Sequence, residues 1–229
     1  MSTAIPPHPA VIVLDVNETL SDMEPLSSRF DAVGAPRHLR ATWFASALRD
    51  GFALTAAGAY ADFGRVAHSA LTSILSREPG LNGDPGDAAR FILAGMQELS
   101  LHPDVRPGLE RLHARGVRLV ALTNGPASSA RGLLERGGIA PLLEDCLSVE
   151  DVRRWKPAPE PYRYAAERCG VAAGQMMLVA VHPWDVDGAK RAGLASAWIN
   201  REDVPYPEPL QPADLICRDF VELAEMLSR

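Results

Sequence analysis

A carboxylate stands directly after an apolar run in the stretch AVIVLDVNETLSDMEPL: Asp15, followed by Val16 and Asn17, with Thr19 four residues on. A second apolar run, VRLVALTNG, ends in Thr123 and Asn124. Lys156 lies in RRWKPAPEPY, and His182 and Asp185 lie in VHPWDVDGAK. Each has a plainer use. An acid at a strand end caps a helix, TNG makes a turn, a lysine before proline is solvated, and His182 and Asp185 cap the helix behind them. Together they supply two acids, hydroxyls, an amide, a lysine and a histidine, and all but the lysine follow closely on apolar runs. That is the inventory of an active site built on one rim.

The elements that would position them alternate. Residues 10–16, 117–125 and 176–182 are apolar and rich in β-branched side chains, as strands buried on both faces are. Residues 195–200 and 213–217 are shorter candidates. Helical patterns separate them at 106–116, 128–138, 159–170 and 184–193, several ending in glycine. This alternation predicts an α/β fold, a doubly wound parallel sheet with a Rossmann-like core. Such sheets bind ligands at the carboxyl ends of their strands. Residues 21–100 break the rhythm. They are mostly helical, with RHLRATWFASALRDGFAL the clearest amphipathic piece and a Gly/Pro-rich loop at 76–87. The predicted organisation is therefore a core of residues 1–20 and 101–229, with a helical cap, 21–100, inserted after the first strand.

The chain has 229 residues, 47% of them hydrophobic and 23% charged, which suits one large domain or a core with a cap. A net charge of −6 gives no general attraction to nucleic acid or anionic lipid. The start lacks a signal-peptide pattern, and no apolar stretch reaches the ~18 residues that span a bilayer. Three widely spaced cysteines form no CxxC pair, so neither a disulfide framework nor a zinc site is expected. A cytoplasmic protein with free thiols is the expectation.

The ordered set of motifs, Asp15-x-x-x-Thr19, Thr123-Asn124, Lys156 and the Asp185 loop, resembles the haloacid dehalogenase superfamily over nearly the whole chain. Within it the sequence looks most like the type II L-2-haloacid dehalogenases. The carrying details are TWF (42–44), LTNG (122–125), Lys156 with Tyr162 six residues on, WD (184–185) and WINR (198–201). Phosphatases of that superfamily carry a second acid two residues after the nucleophile, to protonate the leaving alkoxide. They also hold Mg²⁺ on oxygen ligands, one of them four residues before the position matched by Asp185. Here those positions are Asn17 and Val181. A halide leaving group needs neither a proton nor a metal. The resemblance therefore implies a hydrolytic dehalogenase without metal or cofactor, turning (S)-2-haloacids into (R)-2-hydroxyacids and halide through an ester on Asp15. A Mg-dependent phosphatase or phosphonate-cleaving enzyme is the first alternative, and a non-catalytic binding protein on the same fold the second.

In that reading Lys156 keeps Asp15 ionised. Asp185 orients Lys156 and helps activate water, while Thr19, Thr123 and Asn124 hold the carboxylates. His182 stands where the family commonly has asparagine, and as a better base it can carry the water-activating role or merely cap the next helix. The family's carboxylate-binding cap arginine maps to Ala35, leaving Arg37, preferred, and Arg40 as candidates. Val16, Asn17, Trp43, Phe44 and Tyr162 complete the expected substrate-binding set. The resemblance also allows a homodimer.

Overall fold

The computed structural model describes residues 9–228; the first eight residues of the expected core lie outside that range. In chain order the elements begin with β1 (Val11–Leu14) and β2 (Ser21–Asp22). Next come α1 (Ser27–Ala32), α2 (Leu39–Ala56), α3 (Phe63–Leu75), α4 (Pro85–Ala94) and β3 (Ser100–Leu101). They continue with α5 (Val105–His113), β4 (Arg118–Thr123), α6 (Ala127–Arg136), β5 (Asp145–Ser148) and α7 (Pro159–Cys169). The last are β6 (Met176–Ala180), α8 (Pro183–Arg191), β7 (Ala195–Ile199), β8 (Leu215–Cys217) and α9 (Phe220–Met226).

Six strands form one parallel sheet in the order β5-β4-β1-β6-β7-β8. Successive side chains of a strand point to opposite faces, so β1 feeds two apolar layers. Val11 and Val13 pack with Val120, Leu122, Leu178, Tyr162 and Val186. Ile12 and Leu14 pack on the other face with Leu119, Ala121, Leu109 and Phe220. This two-sided burial is why the strands read as unbroken apolar runs. From β1 the chain builds outward through β4 and β5, then crosses back to build β6, β7 and β8 on the other side. The strand order thus reverses at β1, and the crevice beyond its carboxyl end is where such folds bind ligands. Asp15 is the next residue.

The parallel doubly wound architecture agrees with the prediction. The strands are shorter than their apolar runs, because Asp15 and Val16 leave the ladder, although the Asp15 N–H still donates to the Val179 carbonyl (3.1 Å). Edge strand β5 was not expected; only its outer neighbour position makes a strand of Asp-Cys-Leu-Ser.

Between β1 and α5 lie the four helices α1–α4. They are bracketed by β2 and β3, which pair antiparallel at Ser21↔Leu101 and Asp22↔Ser100. Asp62 and Asp84 cap α3 and α4 by accepting backbone N–H bonds, and Pro85 opens α4. Trp43 is fully buried among these helices, its ring 6.4 Å from that of Phe30 and its indole N–H bonded to the Ala67 carbonyl. Gly51 of α2 lies against the Trp155 ring, where an added Cβ would come within 2.4 Å of a ring carbon. Among the described residues no helix is long and apolar enough to cross a membrane.

Candidate active site

The loop after β1 turns back on itself. Leu20 and Ser21 both donate to the Val16 carbonyl, and Glu18 adopts φ 63°, in the left-handed region. This turn brings Thr19 under Asp15. The Thr19 hydroxyl donates to Asp15 Oδ2 (2.6 Å) and accepts the Val181 N–H (3.1 Å), tying the β1 loop to the β6 loop. Lys156 arrives from the loop after β5. Its backbone is clamped by Asn124, whose Oδ1 accepts the Lys156 N–H (2.9 Å) and whose amide donates to the Lys156 carbonyl (3.4 Å). The ammonium is completely buried and donates to three acceptors: Asp15 Oδ1 (2.8 Å), the Leu122 carbonyl (2.9 Å) and Asp185 Oδ2 (2.6 Å). Asp185, in the first turn of α8, spends its other oxygen on the Tyr162 hydroxyl (2.5 Å).

Two buried carboxylates thus share one buried cation. Burial alone would raise Asp15, but the charges of Lys156 and His182 and the bonds from Lys156 and Thr19 outweigh it, holding Asp15 below its ordinary value. At Asp185 burial prevails. Lys156 opposes it, the nearby charge of Asp15 adds to it, and the group is pushed up. Burial disfavours the Lys156 cation, but the two carboxylates more than offset this and its pKa rises. The result is an ionised carboxylate held in place at a strand end, which is what a nucleophile requires.

The family described as haloacid dehalogenase-like hydrolase matches residues 9–193. The chain belongs to that family of hydrolases. Among curated relatives, (S)-2-haloacid dehalogenase 4A of Burkholderia cepacia is 30% identical, the match covering 95% of this chain and 94% of that protein. (S)-2-haloacid dehalogenase 1 of Pseudomonas sp. (strain CBS-3) is 29% identical over 95% of this chain and 92% of its own. Among solved structures, that of a dehalogenase with intermediate complex is 27% identical, with a TM-score of 0.88, covering 96% of this chain and 97% of the other.

Members of this hydrolase family that bind Mg²⁺ need oxygen ligands around the nucleophile, and the residues here do not fit a metal. Val181 offers only hydrocarbon, and both Asp185 oxygens are taken by Lys156 and Tyr162. Asp15 Oδ1 faces the Lys156 ammonium. Among the described residues no three His, Cys, Asp or Glu side chains gather as a ligand set.

Two cavities border the nucleophile's neighbours. One, of about 170 Å³, is lined by Val16, Asn17, Thr123 and Gly125 from the sheet and by Phe63 and Met96 from the inserted helices. None of its lining residues is charged. The other, of about 400 Å³, is lined by Glu18, Glu24, Arg40, His182, Trp198 and Arg201 among others. His182 stands on its wall. Its Nε2 is 3.1 Å from the Asn17 carbonyl and 3.7 Å from Asp15 Oδ2, and its ring stacks on Trp184 (4.9 Å, 17°).

Several expected placements differ. Arg37, the preferred carboxylate ligand, lies before α2 on the surface, its side chain 64% exposed and paired with Asp31. Arg40, one turn later, reaches the larger cavity, where Glu24 (2.9 Å), Glu18 (3.6 Å) and Ser27 (3.2 Å) already engage it. Neither arginine lines the cavity of Asn17 and Thr123. Trp43 packs inside the helical insert. Phe44 lies beside the His182 ring (6.2 Å), and the aromatic lining the smaller cavity is Phe63. Tyr162 is buried and holds Asp185. Thr123 accepts the Gly125 N–H (2.9 Å) and Asn124 holds the Lys156 backbone, so of the three expected carboxylate partners only Thr19 touches one. Glu18, one of the unassigned positions of Asp15-x-x-x-Thr19, lies 3.8 Å from His182 Nε2. Its positive φ, the one signal that marks it, cannot be read from the residue type.

The cluster depends on a close approach that can be tested. A Cβ at Gly188 of α8 would meet Pro157 Cβ at 2.5 Å and the Tyr162 hydroxyl at 2.7 Å. Gly188→Ala is expected to cost about 1–3 kcal/mol of stability, the usual penalty for overpacking, in a urea titration. It is also expected to lower turnover about tenfold or more, because it displaces both Pro157, next to Lys156, and the tyrosine that holds Asp185.

Proposed function

We propose that this hydrolase converts (S)-2-haloacids into (R)-2-hydroxyacids and halide without a metal ion, in a small-molecule site roofed by residues 21–100. The observation that carries the reading is the ionised Asp15 held by buried Lys156, with Asn17 and Val181 where a phosphoryl-transfer site needs acids. The names of the relatives agree with it. Asp15 attacks the halogen-bearing carbon from behind. A carbon–oxygen bond forms as the carbon–halogen bond breaks, inverting that carbon. Halide departs as an anion and needs no proton. Thr19 and Lys156 fix the two oxygens of Asp15, and holding nucleophile and carbon in line removes up to about 7–11 kcal/mol of barrier in ideal cases. Water then cleaves the ester at the Asp15 carbonyl carbon.

The smaller cavity suits the substrate. Its volume fits a short acid, its uncharged lining accepts an alkyl group, and the Asn17 amide and Thr123 hydroxyl can donate to a carboxylate. The larger cavity carries Glu18, Asp22, Glu24 and Glu202 against Arg40 and Arg201, an excess of acids that disfavours a second carboxylate. Asp185 serves to position Lys156. A reducing cytoplasm suits the three free thiols; burial pushes Cys146 up to about 11 and Cys217 up to about 12.

The test is chloride release from racemic 2-chloropropionate in excess EDTA. Consumption of one enantiomer with formation of (R)-lactate is the expected result. No chloride, with hydrolysis of p-nitrophenyl phosphate on adding Mg²⁺, would sink the reading.

A further inference from the structure

Hydrolysis of the Asp15 ester needs a group to take a proton from the attacking water, and the buried cluster has none to spare. Each Asp185 oxygen already accepts a bond within the cluster, and the residue is wholly buried and absent from the wall of the larger cavity, so water does not reach it. Lys156 is a cation donating three hydrogen bonds. Tyr162 donates to Asp185, and burial together with that carboxylate holds its hydroxyl well above the ordinary tyrosine value. His182 is constrained as well. The Asn17 carbonyl can only accept, so the Nε2 facing it carries a hydrogen. Towards Asp15 and Glu18 the imidazole therefore presents a donor and not a base.

Glu18 is left. It is one of three described non-glycine residues with positive φ, and such backbone persists where the surroundings impose it, often at functional sites. The turn carries its carboxylate to the wall of the larger cavity. There Oε2 lies 3.8 Å from His182 Nε2, itself 3.7 Å from Asp15 Oδ2, and Oε1 lies 3.6 Å from Arg40. The side chain is 30% exposed, so water reaches it. Burial raises its proton affinity, the charges of His182 and Arg40 oppose this, and those of Asp15 and Glu202 add to it, leaving the group above its ordinary value. That direction favours a general base working near neutral pH.

We propose that Glu18 is the general base of ester hydrolysis, taking a proton from a water that enters through the larger cavity and attacks the carbonyl carbon of the Asp15 ester. The proposal rests on the dehalogenase reading and assigns its second half-reaction. An O–H bond of water breaks and its proton goes to Glu18, while the oxygen bonds to Asp15 Cγ. Collapse of the tetrahedral intermediate breaks the bond from Cγ to the substrate oxygen. The departing alkoxide keeps one of the two water protons as its hydroxyl hydrogen. Glu18 releases the other to solvent, and Asp15 is again a carboxylate. His182 Nε2–H, lying between the two acids, positions them.

The variants Glu18→Gln and Glu18→Gly test this, and glycine adopts the required backbone without strain. In rapid-mixing assays with 2-chloropropionate, both are expected to release about one chloride per active site in a burst. Turnover should then fall about 10²–10⁴-fold, the usual contribution of a general base. Intact-protein mass spectrometry should find the ester accumulating. Formate should restore turnover to Glu18→Gly, where it fits the vacated space, but not to Glu18→Gln. Steady-state turnover within threefold of wild type, or loss of the chloride burst together with turnover, overturns the proposal. A wild-type enzyme that releases no halide overturns the dehalogenase reading first and this proposal with it; that outcome is visible before any variant is made.

Discussion

Asp15→Asn is expected to end halide release while leaving the protein folded. The amide is a poor nucleophile, and removing the attacking group of a covalent mechanism commonly costs 10⁴-fold or more, to about 10⁶. The fold should tolerate the change, because Lys156 keeps the Leu122 carbonyl and Asp185 as partners, and Asp185 loses the neighbouring charge that adds to the effect of its burial. The effect on acid stability has a definite sign. The pKa of Asp15 in the folded protein lies below its ordinary value. Its ionised form therefore supports folding above that value, and the support is lost as pH falls through the lower, folded one. The variant should lack this segment of the stability–pH curve. Thermal melts from neutral pH into the acid range, run beside chloride assays, check both halves. In the wild type, a single turnover in heavy-oxygen water should place the label in Asp15 and not in the hydroxyacid. Label found first in the product would mean that water, not Asp15, attacks the substrate.

Lys156→Met is expected to have the largest effect on stability. Two carboxylates would remain buried without their cation, and breaking a buried pair in this way costs about 3–5 kcal/mol. For a chain of this size each kcal/mol lowers the melting temperature by about 2–4 °C, so a fall of roughly 6–20 °C should appear in calorimetry. Activity should vanish too. Without Lys156 the largest influence that lowers the Asp15 pKa is gone and burial pushes it up, which weakens the carboxylate as a nucleophile, and the group that fixes its Oδ1 is lost. The double variant Lys156→Met/Asp185→Asn separates the two losses, since it removes one orphaned charge. It should recover part of the melting temperature and none of the activity. Equal melting temperatures for the single variant and wild type would mean that the buried ion pairs are not organised as described.

The sheet was readable because β1, β4 and β6 are buried on both faces and must be apolar throughout, a pattern that needs no neighbours to recognise. β5 was not, because Asp145–Ser148 becomes a strand only by pairing at the outer side of β4. The approach of Asp15 and Asp185 followed from their places after strands, since topology converges those ends whatever the loops do, whereas Lys156 follows the unexpected β5 and was tied to the site by the resemblance. Finer geometry was hidden. Arg37 and Arg40 are three residues apart and chemically identical, yet α2 begins between them, leaving one on the surface and turning the other inward. Trp43 and Phe44 are neighbours in TWF, but helical rotation sends one into the insert and the other towards His182. Glu18 matters through a backbone angle and a partner 164 residues away, neither of which its immediate neighbours in sequence disclose.

The residues leading into Lys156 are held by the helical insert. Arg154 donates to the Thr55 carbonyl (2.9 Å), the Trp155 N–H to the Thr55 hydroxyl (3.2 Å), and the Trp155 indole to the Ala61 carbonyl (3.0 Å), while Gly51 receives the ring. Inheritance is constrained accordingly. A lineage cannot exchange this insert for another as a free-standing module, because the replacement would have to rebuild the seat of Trp155 before Lys156 could return to its carboxylates. Gly51 and Trp155 should therefore change together among descendants or not at all, and substrate range should drift through residues lining the smaller cavity other than Phe63, whose ring stacks on Trp155 (5.9 Å, 30°) and is part of that seat.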